Sequence, residues 1–119
     1  MKIAITSLGQ DLNSQVDPRF GRAAYILMVD TVPNRVEVFD NSENINAFKG
    51  AGIQAAAMLS KKGAEVLLTG YCGPNAYKTL QAAGVKVVND VSGKVKDAVD
   101  ALIEGNVTFA DSANAEAHW

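Results

Sequence analysis

Apolar residues along this chain follow two rhythms, a short β-branched one at the start and a helical one further on. Lys2–Thr6 (KIAIT) is a β-branched run ended by Ser7 and Gly9, which predicts a buried first strand. Ala24–Asp30 (AYILMVD) and Arg35–Asp40 (RVEVFD) flank TVPN, whose Pro33–Asn34 pair marks a turn, so the two runs predict an antiparallel hairpin. From Gly50 the period lengthens. In GAGIQAAAMLSKKG, Ile53, Ala56 and Ala57 are spaced for one helix face, Lys61 and Lys62 suit the negative helix end, and Gly63 suits the stop. Its alanines predict close packing onto a sheet. Glu65–Gly70 (EVLLTG) is apolar enough for a central strand. GPNAYKTLQAAG opens with Pro74, suited to the first helical position, and closes at Gly84. VKVVND predicts a short fifth strand. SGKVKDAVDALIEG predicts a last helix, with Ser92 as N-cap, Val95, Ala98, Val99 and Leu102 on the apolar face, and Gly105 at its end. From Asn106 to Trp119 the pattern fades into a tail that only Phe109 and Trp119 are equipped to tether.

The order β-β-β-α-β-α-β-α predicts an α/β fold, a three-layer sandwich around a mixed sheet, with one domain over 1–105 and a tail over 106–119. If the first strand points up, the hairpin runs down and up again, and each helix returns the chain for another upward strand. Ser7–Ala23, Asn41–Gly52, Gly70–Pro74 and Asn89–Gly93 then share one edge, the carboxyl-end edge where open α/β sheets bind ligands. Composition narrows the function. With 119 residues and 48% hydrophobic content the chain can bury a real core, and a net charge of -2 argues against a nucleic-acid-binding face. No apolar run is long enough to span a membrane, and the N-terminal one stops after Ile5, too soon for a signal peptide. The single cysteine, Cys72, has no internal disulfide partner, and a reducing, cytoplasmic setting is expected.

Two of the three arginines, Arg19 and Arg22, sit in one hexapeptide, DPRFGR, on the expected ligand edge. As fixed cations they suit anionic oxygens or sulfurs; equally, Arg19 can pair with Asp17 while Arg22 solvates a turn. Phe20 reads as a plug sealing the loop or as a ligand contact, and Gly21 as a residue with positive φ. KGAG, which includes Gly50 and Gly52, ends at a helix start whose N–H groups favour an anion, although glycines there also serve tight turns. In GYCGPN, Cys72, Gly73 and Asn75 lie at another helix start. That position can depress a thiol pKa and make Cys72 a soft metal ligand; the alternative is a small buried residue. The only histidine, His118, lies in the polar tail and has no expected role. Nucleophilic pairs are missing, and the first strand lacks the acid that a two-metal nuclease would be expected to place there, so an enzyme is not expected.

Taken together, DPRFGRAAYILMVD, GAGIQAA and TGYCGPNAYKTLQAAGVKV resemble the dinitrogenase iron–molybdenum cofactor biosynthesis family, which includes NifX-like cofactor carriers, the C-terminal domain of NifB, and the orange protein branch of sulfate reducers. The resemblance runs from Lys2 to about Gly105. It implies a ribonuclease H-like fold with sheet order 3-2-1-4-5 and the second strand antiparallel. It also implies non-covalent binding of an anionic, molybdenum-containing metal–sulfur cluster, either an iron–molybdenum cofactor precursor or a molybdenum–copper sulfide. A protein partner for delivery follows from that role. Arg19, Phe20, Gly21, Arg22, Gly50, Gly52, Cys72, Gly73 and Asn75 are then the expected cluster contacts, with Cys72 as a candidate metal ligand. Many relatives carry an apolar residue where Cys72 stands. A small regulatory or protein-interaction module of the same fold, without a cluster, is the alternative.

Overall fold

A computed structural model describes residues 1–32, 34–41 and 50–114. Pro33, residues 42–49 including Lys49, and residues 115–119 with His118 and Trp119 lie outside the described residues. Five strands form one sheet: β1 (Lys2–Ser7), β2 (Tyr25–Thr31), β3 (Asn34–Asp40), β4 (Val66–Leu68) and β5 (Lys86–Val88). Among the described residues three helices connect or follow them: α1 (Ala51–Lys62), α2 (Pro74–Ala82) and α3 (Val95–Ile103). The sheet order is β3-β2-β1-β4-β5, with β2 antiparallel to both neighbours and β1, β4 and β5 mutually parallel. This is the expected ribonuclease H-like arrangement.

The alternation along the central strand divides the core in two. Ile3 and Ile5 of β1 stand beside Val29 and Leu27 of β2 and beside Val66 and Leu68 of β4, and all six pack on the face that α3 covers with Val95, Ala98, Val99 and Leu102. Ala4 lies on the opposite face with Ile26, Met28 and Leu67, beneath Ala55, Ala56 and Leu59 of α1 and Ala76 and Leu80 of α2. Small residues on α1 allow the close helix–sheet approach that the alanine content foretold.

Two local expectations need correction. The buried face of α1 is Gly52, Ala55, Ala56 and Leu59, whereas Ile53 and Ala57 face outward. An alanine-rich helix offers acceptable small residues on several sides, and the close approach of Gly52 to the arginine loop selects among them. Ser92 does not cap α3, which begins at Val95 after Lys94. Backbone carbonyls of the first long loop take over, because Val95 N–H donates to Ser14 O at 2.9 Å and Lys96 N–H to Leu12 O at 2.8 Å. The tail, from which the sequence promised little, turns back after α3 and runs along β5, where Ala110 N–H donates to Val87 O at 2.7 Å. Phe109 meets β5 there from the surface. It stays 43% exposed beneath the Lys86 ammonium, which lies 5.1 Å from the ring centroid.

Candidate functional site

The described parts of the carboxyl-end loops are stitched to one another. At the ends of β1 and β4 the buried Thr6 and Thr69 hydroxyls meet at 2.9 Å, and Thr6 Oγ1 donates to Asp17 O at 2.6 Å, which anchors the start of the arginine loop. Asp17 is fully buried, and its carboxylate accepts the N–H groups of Arg19 and Ala24, both at 3.1 Å. The first of these is the Asx turn that an Asp-Pro-Arg sequence favours. Arg19 Nε lies 3.5 Å from Asp17 Oδ1, while the Arg19 side chain remains 47% exposed. The pairing anticipated between Asp17 and Arg19 therefore exists, at the inner edge of a guanidinium that still reaches solvent. Arg22 is half-buried, and its N–H donates to Arg19 O at 3.3 Å, closing a turn. Asn41 fixes the far side, where Nδ2 donates to Gly21 O at 3.0 Å and Ala23 O at 2.9 Å.

Two glycine contacts bring the neighbouring loops against this one. Gly21 has φ 93°, and a Cβ on it would lie 2.7 Å from both Cα and N of Gly52. The arginine loop thus lies directly on the first turn of α1, an approach that only glycine permits at position 21. On the other side, a Cβ on Gly70 would lie 2.7 Å from Pro18 Cα. A parallel bridge joins Arg19 to Tyr71, with Tyr71 N–H donating to Pro18 O at 2.6 Å and Phe20 N–H to Tyr71 O at 3.1 Å. Both adjoining helices begin without a side-chain cap, α1 after Gly50 and α2 after Gly73. Exposed apolar side chains, Leu8, Ile53 and Tyr71, complete this edge.

The expected contacts now separate. Arg19, Gly21, Arg22, Gly52 and Gly73 belong to this continuous group of loops. Gly50 precedes α1 with φ 81° and open space around it. Asn75 is exposed one position inside α2, where its carbonyl accepts the Thr79 hydroxyl at 3.0 Å. Phe20 is 1% exposed in the core beneath α1 and α2, which makes it the plug of the loop and not a surface contact. Cys72 takes the second of its two expected forms, a small buried residue. It is fully buried, its Sγ lies 3.7 Å from Gly73 O, and burial pushes the thiol up to about 12. Burial disfavours the thiolate, so at neutral pH the thiol stays neutral. Among the described residues, no three side chains of His, Cys, Asp and Glu gather to hold a metal ion. An anionic guest at this edge would be met by guanidinium groups, N–H donors and apolar side chains.

The residues that sequence reasoning missed are those that shape the loops. Asp17 figured only as a partner for Arg19, although its Asx-turn signal was legible. Asn41, Thr6 and Thr69 gave no signal of their own. Asn114, which bonds the Cys72 backbone on both sides, lies in a tail without periodicity.

Residues 1–105 match the family model described as dinitrogenase iron-molybdenum cofactor, and the chain belongs to that family. No curated protein matches the chain. Among solved structures, the apo form of the orange protein from Desulfovibrio gigas is 47% identical, with 96% of each chain covered and a TM-score of 0.92. A candidate NifB protein from Thermotoga, solved by NMR, is 39% identical over 96% of this chain and 97% of that one, with a TM-score of 0.83. A candidate dinitrogenase from Methanocaldococcus jannaschii shares the fold alone, at 16% identity over 94% of this chain and 96% of that one, with a TM-score of 0.69.

Proposed function

We propose that this member of the dinitrogenase iron–molybdenum cofactor family binds and carries an anionic, molybdenum-containing metal–sulfur cluster at the carboxyl-end edge of its sheet. The observation that carries the reading is the seat of Gly21 on Gly52, which holds the two-arginine loop against the start of α1 while the Arg19–Tyr71 bridge holds it beside the start of α2. Such a cluster is a polyanion with a sulfide surface. Arg19 and Arg22 supply charge, the N-terminal turns of α1 and α2 supply partial positive charge and N–H donors, and Ile53 and Tyr71 supply soft contact. No thiolate is required in this scheme, which agrees with a Cys72 thiol held neutral by burial.

The role is carriage or assembly and not catalysis, in a cytoplasmic setting, with a protein partner receiving the cargo. Kinship with the orange protein favours a molybdenum–copper sulfide, and kinship with NifB favours an iron–molybdenum cofactor precursor. Anaerobic titration of the apo protein decides whether a cluster is bound at all. Tetrathiomolybdate with cuprous ion, and separately an isolated iron–molybdenum cofactor precursor, are the two guests. Uptake of one, with visible charge-transfer absorption and molybdenum retained through gel filtration, is the expected result. A protein that stays colourless with both is the cluster-free interaction module, a reading that the Asp17–Arg19 pair favours by giving Arg19 a structural partner.

A further inference from the structure

The arm formed by residues 106–114 lies beyond the stretch that matches the family model, and it leads back to the candidate site. Its middle is held by a few hydrogen bonds. Besides the bond from Ala110 to Val87, the Tyr77 hydroxyl donates to Ala110 O at 3.0 Å and Asn89 Nδ2 reaches Ser112 O at 3.4 Å. A cleft of about 760 Å³ opens between the arm and α3, lined by Val88, Ala98, Val107 and Phe109 among others. A second, of about 410 Å³, lies on the α2 side between Tyr77, Val87 and Phe109. In the larger cleft Asn89 Oδ1 is buried without a hydrogen-bond partner among the described residues. Val107 and Ala110 pack against the edges of the core, yet a terminal segment flanked by clefts and fastened by a few hydrogen bonds opens at lower free energy than the core unfolds.

The end of the arm is fastened differently. Asn114 Oδ1 accepts Cys72 N–H at 2.8 Å, Asn114 Nδ2 donates to Gly70 O at 2.9 Å, and Asn114 N–H donates to Cys72 O at 3.1 Å. One residue thereby occupies both backbone sides of Cys72 and reaches the carbonyl two residues earlier. Gly70 O also accepts Asp90 N–H at 2.8 Å, and Asp90 has φ 61°, the sole positive value for a non-glycine among the described residues. The loop that carries Cys72 is thus held by the arginine loop on one side and by Asp90 and the arm on the other.

We propose that Asn114 is a positioning residue of the site, a latch by which the C-terminal arm keeps loop Gly70–Gly73 closed around Cys72. Release of the arm opens the α2 side of the site while Arg19, Arg22 and the start of α1 keep their places. The functional meaning of this movement, a door for cargo, rests on the reading of this edge as the cluster site. The latch itself is tested without any cluster.

Cys72 is the single cysteine, so its reaction with N-ethylmaleimide reports opening directly. In the full-length apo protein at pH 8, wild-type labelling is expected to be slow and set by opening of the arm. Asn114→Ala should label at least tenfold faster, by more than any fall in global stability measured in denaturant accounts for. Asn114→Asp, which keeps the Oδ1 acceptor, should fall between the two. Tyr77→Phe releases the arm at Ala110 without touching the loop and should also accelerate labelling, by a smaller factor. If Asn114→Ala fails to fold, Tyr77→Phe decides alone. The proposal is overturned if the folded variants label at the wild-type rate, or if wild-type Cys72 reacts as fast as it does in the unfolded chain. A working latch on a protein that takes up no cluster would leave this inference standing and remove the functional reading above.

Discussion

At Gly21 the backbone stands at φ 93° with the start of α1 where a side chain would go, so two independent penalties meet at one position. Gly21→Ala should lower stability by about 2 kcal/mol or more, from the left-handed backbone and from the clash with Gly52. Denaturant midpoints measure the loss, and a variant as stable as wild type would mean the loop does not sit on α1. Cys72 yields a pH effect of definite sign. Its thiol is raised from 9.0 to about 12, so the folded chain keeps a proton that the unfolded chain gives up above 9. The stability linked to this group is intact below pH 9 and drains away between 9 and 12, at up to about 1.4 kcal/mol per pH unit. The difference in stability between wild type and Cys72→Ala should therefore shrink as pH rises from 8 to 10.5. A constant difference would mean the thiol is not desolvated. Whether Cys72 is buried was not legible in its sequence, because the same Gly-Tyr-Cys-Gly stretch allows a thiol turned to the helix start or into the core.

Elements show more plainly what the sequence could and could not reveal. Strand and helix identities, their order and the hairpin all followed from periodicity and from Gly and Pro punctuation, which are local signals. The buried face of α1 did not follow, because alanines spread over the helix make several faces equivalent until the contact between Gly21 and Gly52 chooses one. That choice has a measurable consequence. Leu59→Ala, on the fully buried face, should cost about 2–5 kcal/mol, whereas Ile53→Ala at a 43% exposed position should cost well under half as much. Comparable losses at both positions would restore the face expected from spacing alone. The cap of α3 was misread for a related reason. Its N–H groups are met by the carbonyls of Ser14 and Leu12, acceptors that every residue possesses and no side chain announces. The path of the arm was not legible, since the fastening of its end depends on Asn114, a single polar residue meeting a loop 42 residues earlier.

At the scale of the whole molecule, topology does most of the placing. The order β3-β2-β1-β4-β5 sets β1 beside β4, so the loops that follow them, one with both arginines and one with Cys72, meet across the sheet edge. That meeting was readable from the order of elements; of the residues that tighten it, Asp17 carried a legible Asx-turn signal, whereas Asn41 and Asn114 did not, because each acts on backbone groups distant in sequence. The central claim is that charge and N–H donors at this edge hold an anionic cluster. Its most direct test is the salt dependence of cluster affinity in wild type, Arg19→Ala, Arg22→Ala and the double variant, titrated anaerobically at two ionic strengths. Guanidinium groups at the surface act over roughly a Debye length, about 10 Å at 0.1 M salt, so wild-type affinity should fall as salt rises. Each single variant should bind more weakly, and the double variant should bind weakest with the flattest salt dependence while remaining folded. Equal affinities and equal salt slopes across all four folded proteins would contradict the account and leave the arginines a purely structural role.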